Sequence, residues 1–105
     1  MSEHEPIDLA RVQEEDKVVS VDGENLGHVI ALWPDMLAPS HLVVEGGLII
    51  HHYWYVPAHA IAAYVPPRNG DPGLVTLGMT RGEIDEAGWN PPPPGAPSAD
   101  EMIGG

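Results

Sequence analysis

Short β-branched runs, each closed by a glycine or proline, recur through the middle of the chain. Residues 17–21 (Lys-Val-Val-Ser-Val) run into Asp22-Gly23, a pair that favours a hairpin because glycine tolerates positive φ. Residues 26–33 form the returning strand, and Pro34 stops it. A loop over 35–39 leads to a third strand at 40–45, centred on Leu42, Val43 and Val44. Gly46-Gly47 predicts a tight turn, and residues 48–56 form the longest strand, rich in aromatic and β-branched side chains. Pro57 breaks that strand and suits the first position of one helical turn over 58–60. Extended structure resumes at 61–65, a loop covers 66–72, and 74–77 is the last strand.

Thr80-Arg81-Gly82-Glu83 fits the capping box that opens a helix, S/T-x-x-E. The helix runs through Ala87. Gly88 stands where a C′ glycine ends a helix, and Trp89 then folds back towards Ile84 in a Schellman motif, as a structural plug.

The ends differ from this core. Residues 1–16 are polar and acidic, with Ile7, Leu9 and Val12 spaced for a short amphipathic turn or an added edge strand. Residues 90–105 open with four prolines, Pro91 to Pro94, and continue with small and acidic residues. Proline donates to no ladder, so this stretch reads as an extended, mobile tail or a polyproline II ligand. Three segments follow: an acidic N-terminal segment (1–16), a folded domain (17–89) and a Pro-rich tail (90–105). The fold class is mainly β, a small barrel or rolled sheet of about six strands with one short C-terminal helix. Barrel closure would remove the exposed edges that invite aggregation.

Composition narrows the function. A chain of 105 residues fits one domain with a modest core. Without cysteine there are no disulfides, thiolate metal sites or cysteine nucleophiles. The acidic start lacks the apolar stretch of a signal peptide, and no apolar run reaches the roughly 18–20 residues that span a bilayer. Both point to a cytoplasmic protein. The net charge is −12, and the cations Arg11, Lys17, Arg68 and Arg81 are scattered. That disfavours direct nucleic-acid binding, which needs clustered cations, and favours a basic partner.

A family resemblance enters through ordered motifs. Val19-Ser20-Val21-Asp22-Gly23-Glu24-Asn25-Leu26-Gly27-His28-Val29 resembles the opening hairpin of PRC-barrel domains, V-x-x-x-D-G-x-x-L/I-G-x-V. His41-Leu42-Val43-Val44-Glu45 resembles the family's third strand, and Tyr55-Val56-Pro57-Ala58-His59-Ala60-Ile61 its y-V-P-x-x-x-I element. Leu74-Val75-Thr76-Leu77 with Thr80-Arg81-Gly82-Glu83-Ile84 is similar to the closing strand and helix. The likeness spans residues 17–89. The family includes the cytoplasmic domain of the photosynthetic reaction-centre H subunit and the C-terminal domain of a ribosome-maturation factor. The resemblance implies a β-barrel with a protein-binding or assembly role and supplies no catalytic residues. Independently, Gly27 reads as a bulge or a close backbone approach.

Two constellations remain as candidate sites. Alternation along 53–55 puts Trp54 on one sheet face and Tyr53 and Tyr55 on the other. Since one face is interior, aromatic surface is expected outside, and Trp33, Tyr53 and Tyr55 are the expected interface residues. The simplest partner is a second copy, in a two-fold homodimer. The second constellation is histidine. His51, His52 and His59 are the metal-ligand candidates of an alternative reading, a small ligand- or metal-sensing domain. Adjacent His51 and His52 face opposite sides, however, and no HxH or HxxxH spacing recommends zinc. No nucleophile elbow, P-loop or GxGxxG is present, so the expectation is a non-enzymatic interaction or assembly module without a cofactor.

Overall fold

The computed structural model describes residues 9–33, 40–47 and 52–91. Ile7, the loop expected at 35–39, the beginning of the expected 48–56 strand with His51, and the tail from residue 92 lie outside them. The chain forms strands β1 (Lys17–Val19), β2 (Asn25–Trp33), β3 (His41–Gly46), β4 (His52–Pro57), β5 (Ile61–Val65) and β6 (Leu74–Leu77), followed by helix α1 (Arg81–Glu86). Single 3-10 turns occur at Leu9–Arg11 and Ala58–Ala60. The fold is therefore mainly β, with six strands and one short helix, as the hydrophobic pattern predicts.

The six strands make one sheet in the order β4-β3-β2-β1-β6-β5. Neighbours are antiparallel except β1 and β6, which run parallel. Among the described residues the ladder does not close, and β4 and β5 are its two edges, joined through the turn at Ala58–Ala60. Inward side chains of all six strands nevertheless meet in one core: Val18, Leu26 and Val29, Leu42 and Val44, Trp54 and Val56, Ile61, then Val75 and Leu77. A single cluster fed by every strand requires the sheet to roll around it. Ile84 of α1 closes one side, and Leu9 and Val12 extend the core to residues before Lys17. The amphipathic turn is thus the form that Leu9 and Val12 take.

Turn chemistry follows the sequence at most corners. Gly23 has φ +86° in the first hairpin. The buried Ser20 side chain holds that turn by accepting from the Glu24 N–H at 3.0 Å and pairing with the Asp22 carboxylate. Asn69 and Gly70 both have positive φ, the type I′ signature, and Arg68 and Asp71 exchange two backbone hydrogen bonds across them. Of the turn expected at Gly46-Gly47, Gly47 has φ +99°, and residues 48–51 lie outside the described residues. Gly46 is still in the ladder, opposite His52, and Leu26 O and the Trp54 ring fill the space a side chain would need there. Gly27 is both things its position suggested. The β1–β2 register shifts beside it, and with φ +142° it lies so close to β3 that a Cβ would overlap the Glu45 carbonyl.

Asp16 is the one buried carboxylate among the described residues, and it ties three segments together. Its Oδ2 accepts from the Gln13 N–H (2.9 Å) and the Tyr64 hydroxyl (2.7 Å), and its Oδ1 from the Gly73 N–H (2.9 Å). Three donors replace the water lost on burial, which is what lets a carboxylate sit there. Burial first, and the Asp16 bond and charge second, hold the Tyr64 hydroxyl well above the usual tyrosine range.

Helix α1 carries the complete capping box: Thr80 Oγ1 accepts from Glu83 N–H, and Glu83 Oε1 from Thr80 N–H. Gly88 has φ +76°, and Trp89 packs on the core. The chain after the helix lies along the edge of β4, where the Tyr55 N–H donates to Trp89 O and Asn90 Nδ2 donates to Tyr53 O. No helix among the described residues is long and apolar enough to cross a membrane.

Candidate functional site

The outer face of β2, β3 and β4 is built from cross-strand rows, the unit of sheet packing. His28, Glu45 and Tyr53 form the first row, Ala31, Val43 and Tyr55 the second, and Trp33, His41 and Pro57 the third. A bulge in β2 sets the spacing between the first and second rows. The middle row is apolar. Val43 and Tyr55 are buried there, with Ile30, Ala31, Trp33 and Tyr53 packed around them as a second cluster, separate from the main core.

All three aromatics expected at an interface therefore share this face. Trp33 and Tyr53 are half-buried. Tyr55 departs from the expectation: it is only 3% exposed. It occupies the central row, covered by neighbours on both sides, and supports the face from beneath. Trp54 points the other way, into the main core, as alternation requires.

Polar groups frame the cluster. The Tyr53 hydroxyl donates to Glu45 Oε2 at 3.4 Å, and His28 Nε2 lies 3.6 Å from Glu45 Oε1. At the other end the His41 ring meets Trp33 edge-on, with centroids 5.6 Å apart, and its Nδ1 is 2.8 Å from Ser40 Oγ. Burial, and then the charge of His59, hold His41 below the usual histidine range.

A cleft of about 540 Å³ opens where β2 begins and β3 ends. Gly27, Gly46 and Gly47 form its bare wall, with His28, Glu45, His52 and Arg81 around it. The Arg81 guanidinium lies 5.4 Å from the centre of the Trp54 ring and binds Asp85 through Nε at 3.1 Å. His52 lies beside the same indole, with ring centroids 6.1 Å apart.

The histidines expected as metal ligands are not brought together as a set. His52 begins β4 and His59 lies in the turn beyond its end, both exposed, and β4 alone spans about 17 Å between them. His51 lies outside the described residues. Among the described residues, no group of three or more His, Asp or Glu side chains is placed to hold a metal ion.

Sequence reasoning missed His41, Glu45, Arg81 and Asp16. A signal existed for His41, since pairing strands 26–33 and 40–45 as a hairpin sets it opposite Trp33. Arg81 and Asp16 act across long separations that no local pattern encodes. In comparison with known proteins, the chain matches no family model and no curated protein.

Proposed function

We propose that this chain is a non-enzymatic protein-interaction module of the PRC-barrel type, self-associating in the cytoplasm and docking a partner on the outer face of β2–β4. The observation that carries the reading is the gathering of Trp33 and Tyr53 over the buried pair Val43 and Tyr55. Aromatic rings on a rigid sheet give large contact area at small entropic cost, with polar tips for orientation. Glu45 at the rim and the net charge of −12 suit a basic partner.

The side chains best placed for chemistry are already committed to structure. Ser20 and Asp22 hold the first turn, and Asp16 is saturated by Gln13, Tyr64 and Gly73.

Affinity capture from the source lysate, run beside a Trp33→Ala/Tyr53→Ala variant of unchanged fold, tests this reading. A partner held by the natural chain and lost by the variant supports it. A partner held equally by both removes the aromatic face from the proposal. Capture of nothing, together with a monomer in solution, sinks the module.

The cleft favours one second reading, small-ligand sensing, because His28, His52 and Arg81 converge on it. A compound that raises the melting temperature of the natural chain but not of His52→Ala would support that reading.

A further inference from the structure

The sheet has two edges, and they are treated differently. The edge of β4 is occupied by the chain after α1, through Tyr55 with Trp89 and Tyr53 with Asn90. Strand β5 pairs with β6 on one side and, among the described residues, has no hydrogen-bonded neighbour on the other. An open edge presents a row of unused N–H and C=O groups, which is a template for another strand.

The usual protections are sparse on β5. Residues 60–67 (Ala-Ile-Ala-Ala-Tyr-Val-Pro-Pro) contain no charge and no histidine in a chain of net charge −12. Ala62, Ala63 and Val65 are exposed, and Val65, at 50%, is one of two large hydrophobics left in solvent among the described residues. Tyr64 turns inward onto the core, so Ala63 and Val65 lie on the outer face. A bulge at Ala62 and the prolines after Val65 bound the strand on either side, which restricts the register an incoming strand can take.

We infer that two copies of this chain pair antiparallel through β5, about a two-fold axis at Ala63, joining their sheets edge to edge. The inference rests on the proposed self-association and names its seam. The strip carries no charge, so two copies, each at −12, bring no like charges face to face along it. A strand paired with itself antiparallel is self-complementary, as an isologous contact requires. Small side chains at Ala62 and Ala63 allow close approach. The aromatic face of β2–β4 stays free for a different protein.

The chain lacks cysteine, so Ala63→Cys carries a single thiol. Directly opposite residues of an antiparallel pair have Cα atoms about 4.5–5.5 Å apart, within disulfide reach. The test combines sedimentation of the natural chain, mild oxidation of Ala63→Cys with Asp85→Cys on exposed α1 as control, and sedimentation of Ala63→Lys. The expected results are a dimer, cross-linking of Ala63→Cys at least ten-fold faster than the control, and for Ala63→Lys a monomer that keeps the folded circular-dichroism spectrum and loses the concentration dependence of melting seen in the natural dimer. A natural dimer that survives Ala63→Lys and gives no Ala63→Cys cross-link overturns the β5 seam while leaving self-association standing. A monomeric natural chain overturns both.

Discussion

The backbone N–H of Tyr55 donates to the carbonyl oxygen of Trp89 across 2.8 Å, and this bond fastens the chain after α1 to the edge of β4. Asn90 adds a second tie to Tyr53 O at 2.9 Å, and Pro91 begins a run that offers no further N–H. The edge beneath the aromatic face is thereby occupied by the chain itself. Asn90→Ala should cost about 1 kcal/mol, the value of one such bond. Trp89→Ala, which also removes packing on the core, should cost about 2–3 kcal/mol. Urea denaturation of the two variants measures both, and equal effects would contradict the packing role of Trp89.

Gly27 and Gly46 face each other across β2 and β3, where a methyl on either would overlap the other strand's backbone. Gly27→Ala and Gly46→Ala should each lose about 3 kcal/mol or more, or fail to fold. Gly23→Ala meets no atom within 4 Å and bears only the strain of φ +86°, so about 1 kcal/mol is expected. Melting temperatures of the three variants give the ranking.

Asp16→Ala leaves three donors facing an empty acceptor site and should cost about 3 kcal/mol or more. Tyr64→Phe removes one donor to the buried carboxylate and should cost about 1.5–3 kcal/mol. The two differ further in alkali. Because the Tyr64 pKa is raised on folding, its contribution is complete below about pH 10 and is lost as pH rises above that value. Denaturation curves between pH 8 and pH 11 should therefore fall more steeply for the natural chain than for Tyr64→Phe.

His41 gives the opposite sign on the acid side. Its pKa is lowered on folding by burial and then by His59, with Trp33 and Ser40 as its other neighbours. The folded state binds fewer protons, so stability is intact above about pH 6.5 and is lost as pH falls from there through the lower folded value. Melting temperature measured from pH 7.5 to pH 5 should fall, and it should fall less in His41→Gln. The same slope in both would remove His41 as the cause.

Much of the fold is legible because its signals are local. Strand period, the Asp22-Gly23 turn, the Pro57 break and the Thr80 capping box each act within a few residues, and all four recur in the structure. The parallel pairing of β1 with β6 is not legible, since a three-residue strand carries no mark of a partner more than fifty residues away. The acidic run before Lys17 reads as peripheral, yet Asp16 is buried, because what compensates its charge are donors from Tyr64 and Gly73. For the candidate site, alternation placed Tyr53 and Tyr55 on a common face, and the strand register adds Trp33 to it. The depth of Tyr55 within that face depends on the rows on either side of it, which only pairing register defines.

Sedimentation equilibrium of the full chain over micromolar concentrations, at neutral pH and moderate salt, tests the proposed self-associating module most directly. The predicted result is the mass of two copies. A mass of 11.2 kDa at every concentration, that of a single chain, would contradict it.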